Sequence, residues 1–170
     1  MKTKTIKIYN YDELSKESKE RVLNYFRINE SYDFLSEDLK EVLFQELEKN
    51  NIKVTSNLNL YYSLNNCQGD GVCFVGLFKF EEWKVKIEHN GHYYNSHSTN
   101  IYIYKINEDG DEVEGDKIIY ESFKQIYRNI CDYIEKVGYE QIDYNNSEEN
   151  IKENIEANNY MFRENGILEK

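Results

Sequence analysis

The stretch YYSLNNCQGDGVCFVGLF, residues 61–78, sets the polar cluster Gln68-Gly69-Asp70-Gly71 between two segments rich in aromatic and apolar residues. Gly69 and Gly71 permit positive φ, and the Asp70 carboxylate between them can bond nearby backbone amides, so a sharp reversal there is cheap. The flanks suit a pleated surface, and the whole reads as strand, turn, strand. The run Asn65-Asn66-Cys67 before the cluster is longer and more polar than a two-residue turn needs, which keeps a second reading open: a loop that holds a partner through its amides.

The same period continues outward. From Ile52 to Glu88 the chain is β-branched or aromatic in short runs, and Trp83, Val85 and Ile87 alternate with Lys84, Lys86 and Glu88, so one face of that segment is expected to be buried and the other wet. A further strand, NIYIYKI, ends at the acidic run NEDGDEVEGD. A short strand is expected at Thr5 to Tyr9. Ser15 reads as the N-cap of a first helix, KESKERVLNYFRI, and Ser36 as that of a second, with Leu39, Val42, Leu43 and Leu47 on one stripe and Asn50-Asn51 at its end. A long helix begins near Asp116, its stripe running from Ile119 to Val137, with Gly138 expected to end it. Ser147 caps a shorter helix, and YMFRENGIL forms a hairpin on Asn165-Gly166. The expected fold is α+β: an antiparallel meander of three to five strands flanked by two N-terminal and two C-terminal helices, in a single domain over residues 1–170.

At 170 residues the chain is long enough to bury a core without cross-links. Its 16 tyrosines and 8 phenylalanines imply a core of bulky rings, and it contains no proline to mark a linker. No stretch matches a membrane span, and the opening residues lack the apolar run of a secretory signal, so a cytoplasmic location is expected. Three cysteines, Cys67, Cys73 and Cys131, are too few for a disulfide framework and are read as free. The net charge of −11 is concentrated after residue 106, where 17 acids face 7 bases. Such a field repels nucleic acid and membranes and attracts a basic partner, so direct nucleic-acid binding is not expected.

The residues able to carry chemistry fall into three groups. Glu108, Asp109, Asp111, Glu112, Glu114 and Asp116 form an acidic run able to imitate a phosphate backbone. Asn66, Gln68, Gly69, Asp70 and Gly71, set against His92, Tyr93 and Tyr94, form an alternative ligand site, in which His92 and Tyr94 would share one strand face. Cys67 or Cys73 with His92 and Asp70 contains the groups of a nucleophilic triad, but no spacing demands that arrangement. His89, His92 and His97 lie within nine residues, yet without a recognised ligand spacing. Calcium and phosphate loops are excluded, because Asp70 is the lone carboxylate of its loop and no Gly-x-x-x-x-Gly-Lys run exists. No metal, cofactor or catalytic residue is assigned.

Four blocks, IYNYDELSKESKERVLNYFR, YSLNNCQGDGVCFVG, HNGHYYNSHST and NSEENIKENIEANNYMFRENG, resemble in that order a group of small phage and prophage proteins of unknown function, some described as antitoxins. The group carries a further histidine where this chain has Asn95. The resemblance implies a mobile-element setting. Together with the acidic charge, it leads to the expectation of a counter-defence protein resembling anti-CRISPR inhibitors, whose partner is a host defence protein or ribonucleoprotein with a basic surface. An antitoxin-like neutralising partner is a further alternative.

Overall fold

Five strands, β1 (Ile52–Ser63), β2 (Gly71–Phe80), β3 (Trp83–His89), β4 (Thr99–Ile106) and β5 (Glu112–Glu114), pair antiparallel in the order β1-β2-β3-β4-β5. They belong to a computed structural model that describes residues 6–29 and 34–169. Residue contacts divide the chain into two compact units: Phe34–Tyr139, and the described residues of Met1–Asp33 with those of Glu140–Lys170. Among the described residues four α-helices accompany the sheet, α1 (Lys16–Ile28), α2 (Leu35–Lys49), α3 (Lys117–Asn145) and α4 (Glu148–Ala157), so the fold is α+β with two helices before the sheet and two after it. No helix among the described residues is long and apolar enough to cross a membrane.

Within Phe34–Tyr139, alternation sets the two faces of the sheet. Phe78 opposes Val85, which opposes Ile103, and all three are buried. α3 covers this face: the Phe123 ring meets Phe80 edge-on at 5.3 Å, and the Tyr127 ring lies 4.6 Å from that of Phe74. The Tyr127 hydroxyl donates to the Phe74 carbonyl at 3.2 Å, so the most buried phenol of the core is also satisfied. The other face carries Lys79, Lys84 and Lys86, all exposed. Register shifts between Val54 and Asn59 mark a bulge in β1, where Asn57 takes a left-handed conformation.

Two expectations about this unit change. Ser36 does not cap α2, which begins one residue earlier at Leu35 and starts from bonds of the Glu37 and Asp38 amides to the Phe34 carbonyl. Gly138 does not end α3, which runs on to Asn145. Its lack of a side chain serves packing instead, since a Cβ there would lie 2.5 Å from Cδ1 of Leu64 and 3.6 Å from Leu39. A close approach to α2 and to the loop after β1 therefore looks, in sequence, like a helix stop.

The unit formed by the chain ends has its own core of Tyr11, Leu14, Val22, Leu23, Ile151, Ile155 and Phe162. Ser15 caps α1 by accepting the Ser18 amide, and Ser147 caps α4 by accepting that of Asn150. β6 (Met161–Phe162) and β7 (Leu168–Glu169) form the expected hairpin on Asn165-Gly166. The strand expected at Thr5 to Tyr9 is reduced to one bridge, Tyr9 to Phe162, with no strand at Ile6, Lys7 or Ile8. Thr5 lies outside the described residues. One added strand position is all that a two-residue strand can template.

The two serines separate capping from mere helix membership. Ser15→Ala is expected to lower stability by about 1 kcal/mol in urea unfolding. Ser36→Ala, inside α2, is expected to be neutral or to stabilise by up to about 0.5 kcal/mol.

Candidate functional site

The seven residues joining β1 to β2 are organised by one carboxylate. Asp70 Oδ1 accepts from the Ser63 hydroxyl at 2.7 Å and the Cys67 thiol at 3.2 Å. Oδ2 accepts from the Asn65 amide at 2.6 Å, the Cys67 amide at 2.9 Å and the Tyr139 hydroxyl of α3 at 2.9 Å. Five donors occupy the lone pairs of the two oxygens, which leaves the carboxylate no capacity for a ligand. These donors, the Cys67 amide foremost and then the Ser63 hydroxyl, hold the Asp70 carboxyl far below the ordinary carboxylate range. The Gly-Asp-Gly cluster is thus a turn whose acid serves as an internal staple.

The glycines admit the neighbouring loop. Gly69 has φ +95°, and a Cβ on it would lie 2.6 Å from Cδ1 of Tyr93. A Cβ on Gly71 would lie 2.6 Å from Cβ of Asn95. The fold therefore brings Gly69 and Tyr93 together, as the alternative ligand site requires. The other partners differ from expectation. Residues 90–98 form a loop rather than a strand, so His92 and Tyr94 do not share a strand face. His92 is exposed, and its ring makes no hydrogen bond among the described residues. Tyr94 stacks on Tyr61 at 5.4 Å, and His89 completes the group at 5.5 and 5.6 Å from the two rings. Asn66, with φ +55°, and Gln68 are exposed on the loop.

His89 is the histidine with a defined role. Its Nδ1 accepts the Gly91 amide at 3.1 Å, which leaves Nε2 to donate to the Tyr93 carbonyl at 3.0 Å, so the ring fixes the start of the loop as the neutral Nε2–H tautomer. His97 meets Arg128 through Nδ1 at 3.2 Å. The rings of His89 and His97 thus serve different neighbours, and no metal-binding group of His, Cys, Asp and Glu occurs among the described residues.

The cysteines are poor nucleophiles here. Cys67 donates its proton to Asp70, and that bond raises its pKa. Cys73 is buried, and desolvation pushes it up to about 11. The Asp70 carboxylate beside Cys67 is held too acidic to take its proton, and no base is hydrogen-bonded to Cys73 among the described residues.

The acidic run is displayed differently. Asn107 closes a turn by accepting the Asp109 and Asp111 amides, which presents Glu108, Asp109 and Asp111 outward. Glu112 and Glu114 belong to β5, the edge strand, which sequence reasoning placed inside a loop. None of these five carboxylates forms an ion pair among the described residues. Asp116 stands apart, because its Oδ1 accepts the Ile118 and Ile119 amides and caps α3.

Asp70→Asn is expected to lower the melting temperature at pH 7. The folded-state pKa of Asp70 lies below the unfolded value of about 3.9, so the staple is fully present above that pH and is lost as pH falls toward the folded value. The gap between parent and variant should narrow between about pH 4 and pH 2 in thermal scans; a constant gap would exclude the charged staple. Asp70→Ala should also speed alkylation of Cys67 at pH 8, since it removes the acceptor that holds the thiol proton. Compared with known proteins, the chain matches no family model, no curated protein and no solved structure.

Proposed function

We propose that this protein is a phage-encoded counter-defence inhibitor that binds a host nucleic-acid-handling complex through the acidic edge of its sheet. The observation that carries this reading is the preorganised display of Glu108, Asp109, Asp111, Glu112 and Glu114, all exposed and none ion-paired among the described residues. A turn fixed by Asn107 and a strand fixed by β4 hold these charges without ordering cost at the moment of binding. A row of fixed carboxylates offers a lysine- and arginine-lined channel what a phosphate backbone offers it. The resemblance to small phage proteins supplies the setting. The loop at Asp70 supports a binding function less well, because its carboxylate is consumed by the chain itself.

The test is an affinity pull-down from a host lysate carrying defence systems, followed by titration of the captured complex. Replacing Glu108, Asp109, Asp111 and Glu112 with lysine should weaken binding by about 100-fold or more, and the parent complex should weaken as salt rises from 50 to 500 mM. The quadruple variant should keep the parent melting temperature within a few degrees, since all four side chains are exposed. Capture that is indifferent to both changes would sink the acidic-edge reading.

A further inference from the structure

The register of the sheet gathers cations that are scattered in the sequence. Lys53 opposes Lys79, and Lys79 opposes Lys84, so three lysines stand in one row across β1, β2 and β3 on the face away from α3. All three are exposed, and none forms an ion pair among the described residues. Like charges directly opposite on neighbouring strands destabilise a sheet, so the fold gains nothing from this row. Tyr104 continues it on β4, opposite Lys84, and Tyr102 follows on the same face opposite Lys86. Residues 52–106 hold five bases and four acids, a balance of +1 within a chain of −11.

Two grooves meet at Tyr104. One, of about 440 Å³, is lined by Thr55, Leu77, Lys79, Glu82, Lys84 and Tyr104, with the Glu82 carboxylate held by Lys105 at 2.9 Å. The other, of about 710 Å³, runs past Lys86, Tyr102 and Tyr104 toward Glu112 and Glu114. Each is large enough for a small planar ring system. The tyrosine between them divides the face into two compartments, with Lys79 and Lys84 beside the first. Glu114 of β5 stands opposite Tyr104 and Glu88 already holds Lys86 at 2.7 Å, so among the described residues the cations without an ion pair on this face lie on β1, β2 and β3.

We propose that this open sheet face binds a short single-stranded nucleic acid, with Lys53, Lys79 and Lys84 taking phosphates while Tyr104 and Tyr102 stack against bases. The inference goes beyond the acidic-edge reading and uses the opposite sign of charge on other residues. A single strand fits better than a duplex, because stacking on an aromatic side chain needs a base face that pairing and base stacking would hide. Strand spacing of about 4.8 Å spreads the lysine row over about 10 Å, enough for adjacent phosphates of one extended strand. At 50 mM salt the screening length lies between about 10 and 30 Å, so the Glu112 and Glu114 carboxylates on the same face are felt, and the contact requires the lysine row to outweigh them locally.

The test is fluorescence anisotropy of the full chain with a labelled twelve-residue oligothymidylate at 50 mM salt. Binding is expected, with a slope of log affinity on log salt of about −2 for three phosphate contacts. Lys79→Glu places a carboxylate between Lys53 and Lys84 and makes both cross-strand pairs attractive, so it should melt no lower than the parent. The same variant should lose about tenfold or more in oligonucleotide affinity, and Tyr104→Ala about tenfold. Lysine substitution at Glu108 and Asp109 should leave this affinity undiminished, which separates it from the acidic-edge contact. No binding at 50 mM salt, or a folded Lys79→Glu variant that binds as tightly as the parent, overturns the proposal. So does binding of polyglutamate in place of the oligonucleotide, which would assign the face to an acidic protein instead.

Discussion

A single carboxylate, that of Asp70, holds the connection on which the sheet unit depends. Seven residues between two long strands carry exposed amides and a left-handed asparagine, and such a loop would otherwise sample many conformations. Asp70 gathers two of those amides, one hydroxyl and one thiol, and then reaches α3 through Tyr139. Because Ser63 ends β1 and Gly71 begins β2, fixing the loop also fixes the pairing of Ser63 with Gly71. With the loop set, Tyr93 can lie on Gly69, and the β3–β4 connection takes its place beside it. An acid in a polar, glycine-flanked loop resembles a ligand site in sequence, yet its chemistry here is directed inward.

Where alternation or capping chemistry is local, the fold was legible in the sequence. Ser15 and Ser147 cap the helices expected of them, and the buried faces of β3 and β4 follow from Val85, Ile87 and Ile103. The failures have different causes: Gly138 answers to a distant neighbour, whereas Ser36 follows a local backbone start that no side chain announces. Gly138 meets Leu64, and Ser36 lies inside a helix that starts on a backbone carbonyl. None of Tyr61, Tyr62, Tyr93, Tyr94, Tyr102 and Tyr104 is buried. Tyr61 of β1 instead packs on Tyr94 of the β3–β4 loop, a contact that periodicity does not carry.

The candidate surfaces differ in the same way. The acidic run is contiguous in sequence and therefore visible there, although not the division of labour that sets Asp116 to capping and Glu112 and Glu114 to an edge strand. That edge is short and charged, which also discourages pairing with another chain. The lysine row was invisible, because its members lie 26 and 5 residues apart and only strand register brings them level. Net charge averages the two surfaces into one negative number and conceals that they differ in sign.

The second unit draws its core from both ends of the chain: Tyr9 bridges Phe162, and the Ser18 hydroxyl donates to the Glu164 carbonyl across 146 positions. During synthesis α1 emerges early but has nothing to bury Val22 and Leu23 against until Ile151, Ile155 and Phe162 leave the ribosome. At roughly 5–20 residues per second, that wait lasts on the order of ten seconds. Phe34–Tyr139, by contrast, is continuous and complete before the last segment is made. An apolar stripe therefore stands open on the nascent chain until residues 151–162 are made, a window in which chaperones and proteases compete for α1.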